Sequence, residues 1–244
     1  MSQPIKIAMW SGPRNMSTTM MRSFGARADT SCIDEPFYAA YLTAANLIHP
    51  MQDEILSSQS ADPVRVAKDL SAGPCDTPIQ YQKQMTHHFL ESFPTDWLRD
   101  IDHHICLIRH PARVIASYAR KMEMTSIEAM GFPQQKRILE TVTSLTGKQP
   151  IIVDSDDILR SPKNMMKTLC TTLNISWTPD MLNWSSGPKP EDGAWAPHWY
   201  DAVNQSTGFA AAPGPLPELT GEQTRIRDIV LPSYLTLWER RLAV

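Results

Sequence analysis

At 244 residues with 42% hydrophobic content, the chain is long enough for one sizeable packed core. A formal net charge of −3 gives no basic field of the kind that gathers nucleic acid, so any anion site must be local. Cys32, Cys75, Cys106 and Cys170 form no CxxC pair, and no apolar run reaches membrane-span length or makes a cationic-apolar leader. The expectation is a soluble cytoplasmic protein in a reducing compartment, with no nucleic-acid or membrane partner.

The first predicted element carries the most chemistry. Ile5, Ile7, Met9 and Trp10 make an apolar strand over Ile5–Trp10 that ends in a Ser11-Gly12-Pro13 turn. Arg14, Asn15 and Met16 follow, then Ser17, Thr18 and Thr19 open a helix over Ser17–Ala26. A strand, a tight turn and a helix N-terminus leave backbone N–H groups free at the positive end of a dipole. Pro13–Thr19 is therefore read as an anion cradle, with Arg14 adding forked donors suited to phosphate or sulfate oxygens. A nucleoside-triphosphatase loop starting at Gly12 would have Gly and Lys where Ser17 and Thr18 stand. A dinucleotide fingerprint needs three spaced glycines, and Gly12 is alone.

A second strand, Ser31–Asp34, leads to Glu35 and a helix over Phe37–Ile48. The polar, helix-prone stretch Gln52–Gly73 reads as a cover over a site. A third strand, Ile79–Gln82, is followed by Lys83, His87 and His88, and then a helix over Pro94–Asp100. Ile105–Ile108 is a continuous apolar run, as in a buried parallel strand. Arg109 stands at its C-terminal end, Pro111 suits the first turn of a helix over Ala112–Met122, and Ser117 comes eight residues after Arg109. A helix over Pro133–Leu145, a strand over Pro150–Val153 and a helix over Lys163–Leu173 come next. Ser185–Pro217 is rich in Pro, Gly and Ala, but Trp195, His198, Trp199, Tyr200 and Phe209 argue for an ordered loop. Trp195 and Trp199 could share one helix face, either as an acceptor-pocket wall or as a satellite core cluster. A last helix is predicted over Gly221–Leu242.

Alternating strands and helices predict an α/β fold of three layers, with a central, mainly parallel sheet flanked by helices. The chain reads as one domain over 1–244, with about 185–244 belonging to it, and ligands are expected at the C-terminal strand ends. His87-His88 and His103-His104 would point to opposite strand faces, and no Cys or acidic residue falls at zinc spacing, so no metal site is expected.

The Pro13-Arg14 to Ser17-Thr18 segment resembles the 5′-phosphosulfate loop of sulfotransferases that use 3′-phosphoadenosine-5′-phosphosulfate (PAPS). Asn15-Met16 stand where the common loop has Ser-Gly. The stretch His104–Lys121 resembles the same family's 3′-phosphate motif, in which an Arg at a strand end and a Ser eight residues on hold that phosphate; His110 and Arg113 stand where the family often has Asp. Asp154–Pro162 resembles the acidic-Leu segment that closes many such domains, with a structural role through helix capping. The resemblance implies a P-loop-like fold, PAPS as co-substrate and its bisphosphate (PAP) as product. It also implies sulfuryl transfer to a hydroxyl or amine of a small-molecule acceptor.

On that reading Pro13, Arg14, Asn15, Met16, Ser17, Thr18 and Thr19 hold the 5′-phosphosulfate, and Arg109 and Ser117 the 3′-phosphate. Arg14 is placed to steady charge on the bridging oxygen. Transfer needs a base for the acceptor proton. Glu35 is preferred, since some similar sulfotransferases carry a catalytic Glu after the second strand; its other reading is a dipole partner in the next helix's first turn. His87 is second. Cytosolic sulfotransferases have a Lys and then a catalytic His two residues later; Lys83 matches the Lys, but Met85 occupies the His position. Lys83 is a candidate for the sulfonate or 5′-phosphate. An ATP-dependent small-molecule kinase and a non-catalytic nucleotide-binding protein remain alternatives. Acceptor and oligomeric state stay open. Lys189 lies where a late basic loop would fall, but no Arg-Lys-Gly triplet is present.

Overall fold

The computed structural model describes residues 3–121 and 126–244; Met122, the predicted end of one helix, lies outside them. Five strands form the sheet: β1 (Ile5–Ser11), β2 (Thr30–Asp34), β3 (Ile79–Met85), β4 (His103–Ile108) and β5 (Ile151–Asp154). Their order is β2-β3-β1-β4-β5, and every pairing is parallel. The alternating α/β reading therefore holds, and all five C-terminal strand ends share one edge.

The pleat explains the layers. On β1, Ile7 and Met9 face one side, where they meet Met20, Met21 and Phe24 of α1 (Ser17–Gly25) and Met165, Met166 and Leu169 of α8 (Pro162–Thr172). Ala8 and Trp10 face the other side, against Val66 and Leu70 of α4 (Pro63–Ala72) and Ile138 and Val142 of α6 (Phe132–Thr146). Tyr234 and Leu237 of α11 (Gly221–Trp238) close over Cys106, Ile108 and Ile152 at the far end. All four cysteines are free.

The structure corrects several predicted boundaries. β3 runs three residues beyond the expected Gln82. Its polar face does not end the strand, because Gln82 Nε2 donates to Gln80 Oε1 (2.8 Å) and Gln84 Nε2 to Gln82 Oε1 (3.3 Å), so buried amides satisfy one another. The helix expected over Phe37–Ile48 is α2 (Tyr38–Ala45), stopped by Asn46 in the left-handed region (φ 50°). That stop releases Leu47 and Ile48 into a loop. Pro94–Asp100 contains only a tight 3₁₀ turn over Asp96–Asp100. The segment expected to cover the site is two helices, α3 (Gln52–Ser58) and α4, the second capped by Asp62, which accepts from the Val64 amide at 2.9 Å. Among the described residues none of 52–73 lines the cleft at the carboxyl ends of the strands, and α4 instead packs on the sheet face through Val66 and Leu70. α11 stops at Trp238, short of the expected Leu242.

The late loop is ordered, as its aromatic content suggests. It holds the short helices α9 (Ala196–Trp199) and α10 (Asp201–Asn204). Buried Arg22 of α1 donates to both Asp192 oxygens, and the Gly193 amide donates to Asp34 Oδ2 at 3.1 Å. Between β5 and α8 lies α7 (Ser155–Arg160), capped by Asp154, which accepts from the Asp156 amide at 2.7 Å. The acidic-Leu segment thus has the capping role its sequence indicates.

A cleft at the carboxyl ends of the strands

The loop after β1 sets the geometry. Arg14 (φ 66°) and Met16 (φ 74°) are both left-handed, and Met16 is the N-cap of α1. Gly12 is fixed by packing: a Cβ there would lie 2.8 Å from the Met130 carbonyl oxygen. Ser155 Oγ donates 2.8 Å bonds shared between the carbonyls of Asn15 and Ile108, tying the loop to the ends of β4 and β5.

This loop forms one end of a cleft of about 680 Å³ that also reaches the ends of β2, β3 and β4. Pro13, Arg14, Met16, Ser17, Thr18, Thr19, Arg109 and Ser117 all line it. Arg109 Nη1 donates to the Arg14 carbonyl (2.7 Å), and Arg14 Nε donates to Ser117 Oγ (2.9 Å). Residues 14, 109 and 117, from two separate strand-turn-helix segments, are therefore joined in one cluster. Arg109 Nε is buried without a partner. Burial pulls the proton affinity of both guanidiniums down, and each feels the other or Arg120 as a like charge. Two such cations favour an incoming anion.

Other residues from the sequence reading are placed elsewhere. Asn15 is buried outside the cleft lining, its amide donating to the Leu107 carbonyl at 3.2 Å. Arg113 adds no charge to the cleft, since its Nε bonds Asp156 at 2.9 Å and its other nitrogens reach the Gly214 and Pro215 carbonyls. His110 caps α5 (Pro111–Tyr118) by accepting from the Ala112 amide. Lys189 Nζ binds Ser185 Oγ at 2.8 Å.

The middle of the cleft is a saturated ionic network. Lys83 Nζ donates to Asp34 Oδ1 (2.9 Å), Glu35 Oε1 (2.6 Å) and Tyr200 OH (2.6 Å). Tyr200 OH in turn donates to Asp34 Oδ2 (2.7 Å) and accepts from Trp195 Nε1 (3.1 Å). The register explains the contact, because Asp34 pairs with Lys83 across β2 and β3. Glu35 (φ 41°) precedes the helix and is not in its first turn; its carbonyl accepts from the Tyr38 amide. Burial pushes the Glu35 carboxyl up to about 7, with Asp34 adding to the rise against the pull of Lys83. Lys83 itself is held well above the ordinary ammonium value, because the two carboxylates outweigh its burial.

The histidines sit beside this network. His88 Nδ1 is 3.7 Å from Glu35 Oε2, and its ring stacks on Tyr38 (4.1 Å) and Tyr41 (4.9 Å). Burial drives His87 down to about 3 and His88 well below the usual histidine value, so both are neutral. Both line the cleft and leave Nδ1 buried without a partner. Sequence reasoning missed Asp34 and the role of Tyr200, since their link to Lys83 depends on strand order and on the fold of the late loop. It also missed Tyr38, Tyr41 and His49, which need α2 in place to reach the cleft. Trp195 and Trp199 diverge: Trp195 is in the core and Trp199 lines the cleft.

A larger hollow of about 960 Å³ lies at the opposite sheet edge, around Lys6, Asp102 and His103. Lys6 Nζ is engaged there by the Leu70 and Ser71 carbonyls. Parallel sheets of this kind bind ligands at the carboxyl edge, where the charged cleft is.

A five-stranded parallel sheet flanked by helices, with two arginines and a buried carboxylate at its carboxyl edge, is an α/β architecture of the P-loop-like class. The chain belongs to the sulfotransferase domain family, whose model matches residues 5–240. It is similar in fold to the sulfotransferase domain from the curacin biosynthetic pathway, at 15% identity and TM-score 0.54, covering 96% of this chain and 99% of that one. The sulfotransferase domain of the Synechococcus PCC 7002 olefin synthase is similar at 16% identity and TM-score 0.55, covering 93% and 94%. Two Arabidopsis thaliana proteins named branched-chain-amino-acid aminotransferase-like protein 2 and protein 1 are each 36% identical over 205 and 211 residues, 84% and 86% of this chain. The chain spans only 36% and 38% of those relatives' lengths. Among the described residues no helix is long and apolar enough to cross a membrane.

Proposed function

We propose that the protein is a PAPS-dependent sulfotransferase acting on the hydroxyl or amine of a small-molecule acceptor. The observation that carries this reading is the cluster of Arg14, Arg109 and Ser117, with the buried Arg109 Nε left unpartnered. Such a cluster suits phosphate or sulfate oxygens, and the α1 N-terminus beside it offers further donors to the same ligand. Arg14 and the N–H groups opening α1 would hold the 5′ end, together with Ser17, Thr18 and Thr19. Arg109 and Ser117 would hold the 3′-phosphate. The residues present fit the group, and the co-substrate when bound would supply an activated sulfuryl group.

Glu35 is the preferred base. Its carboxylate takes the acceptor proton as the acceptor oxygen or nitrogen bonds to sulfur and the sulfur–oxygen bond to phosphate breaks. The electron pair of that bond stays on the phosphate oxygen, where Arg14 offsets the new charge. A carboxyl that titrates near neutral pH is suited to accept a proton there. Neutral His87 is the second candidate. Lys83 is read here as positioning Glu35, since all its bonds run to Asp34, Glu35 and Tyr200.

Calorimetric titration with adenosine 3′,5′-bisphosphate, alongside ATP with Mg²⁺, tests the reading. Tight bisphosphate binding and weak ATP binding are expected. Preference for ATP would move the chain to the kinase reading, and binding of neither would leave a fold without its nucleotide.

A further inference from the structure

We propose that the acceptor is an uncharged alcohol with an extended apolar body, its hydroxyl at Glu35 and its body leaving the cleft over Leu47 and Ile48. The inference rests on the sulfotransferase reading above and names the substrate class for that site.

The first observation is the rim. Because α2 stops at Asn46, Leu47 and Ile48 stand outside the helix at the cleft's edge, 40% and 96% exposed. A single exposed aliphatic residue carries no message. Two adjacent ones on the rim of a binding cleft extend its apolar wall into solvent. The second observation is the wall inside that rim, formed by Tyr38, Tyr41, Trp199 and Val203. Their carbon surface offers a hydrophobic path from the mouth to the Glu35–Lys83 network.

The third observation is charge. At this end of the cleft His49, His87 and His88 are all shifted by burial toward the neutral form. Lys83 already contacts two carboxylates, so it offers no spare charge to an anionic acceptor. Glu35 is engaged by Lys83, so an ammonium finds no free counter-ion. Arg14 and Arg109 belong to the anion end. A neutral acceptor leaves every one of these pairs intact, and an apolar body matches the walls.

The test uses the full chain saturated with adenosine 3′,5′-bisphosphate and titrated with straight 1-alkanols from butanol to decanol. Affinity is expected to rise about two- to fourfold per methylene until the chain clears the rim. A Leu47→Ser/Ile48→Ser double variant should flatten the gain for the longer alkanols while leaving bisphosphate affinity unchanged. A series with no dependence on length, or tighter binding of glucose, benzoate or an alkylammonium of matched size, would overturn the proposal while the nucleotide reading stands. Failure of bisphosphate to bind would overturn both.

Discussion

The two ends of the cleft handle charge in opposite ways. At the Arg14–Arg109 end two guanidiniums lie together, one with a buried donor left unpaired. At the Glu35–Lys83 end every charge already has a partner, and Lys83 has three. The first arrangement leaves a buried donor unsatisfied, as the proposed anion site would. The second is complete without any ligand, and so can fix the position and proton affinity of one carboxylate. Substitutions at the first end should change ligand affinity and leave folding nearly alone; substitutions at the second should change folding first.

The largest expected effect breaks the second end. Lys83→Met leaves Asp34 and Glu35 buried beside each other without a counter-charge, at a cost of about 3–5 kcal/mol of stability. The loss should depend on pH. In the native protein Glu35 holds its proton up to about 7, above the ordinary value of 4.5. The folded state then binds more protons than the unfolded one between those values, so this group's contribution to stability falls as pH rises through the window and is flat above it. Without Lys83 the carboxyl holds its proton still more firmly, so the variant should lose more stability at pH 8 than at pH 5. Denaturant unfolding at the two pH values measures this, and an equal loss at both would mean that the network is not ionic.

The next effect breaks the first end. Arg109→Ala should weaken adenosine 3′,5′-bisphosphate binding by about 2 kcal/mol or more, roughly thirtyfold, with little change in thermal midpoint. Calorimetry and a melting curve on the same sample give both numbers. Unchanged affinity would remove Arg109 from the nucleotide site.

Tyr200→Phe sharpens the contrast. It keeps the ring and removes the hydroxyl that bonds Lys83, Asp34 and Trp195. Stability should fall by about 1–2 kcal/mol, as for a buried partner left unsatisfied. Bisphosphate affinity should not move. A variant that folds as well as the parent but binds the nucleotide less tightly would place Tyr200 at the wrong end.

The same contrast marks what the sequence made legible. That Arg14, Arg109 and Ser117 meet could be read because they sit in two contiguous strand-turn-helix segments, where a turn, a Pro and an Arg announce themselves locally. All five strands were found from local pattern, β1, β4 and β5 as short apolar runs and β2 and β3 as short β-prone segments between helical stretches. The ionic end could not be assembled in advance. Glu35 and Lys83 were visible as candidates, but Asp34 meets Lys83 only through the β2–β3 register, and Tyr200 arrives from a loop more than a hundred residues away. The rim of Leu47 and Ile48 was hidden because apolar periodicity carried the predicted helix past Asn46. Arg113, a basic residue where the family often has Asp, is taken out of the cleft by Asp156, which the sequence pattern does not announce.

The smallest effect concerns the loop where residue type and backbone disagree. Met16 stands where the resembling loops have Gly, and it adopts the left-handed conformation (φ 74°) that a glycine takes without strain. For a side-chain-bearing residue that conformation costs about 1–2 kcal/mol. Met16→Gly removes the strain, but it also loosens the unfolded chain and strips a side chain packed against the main core cluster. The terms oppose one another, so the net change should be a gain of at most about 1 kcal/mol. Bisphosphate affinity should be unchanged, because the backbone of Arg14 to Ser17 is already held in place by Ser155 and Arg109. A stability loss beyond about 1 kcal/mol would show that Met16's packing outweighs its strain. A change in affinity without a change in stability would mean that the thioether side chain itself touches the nucleotide.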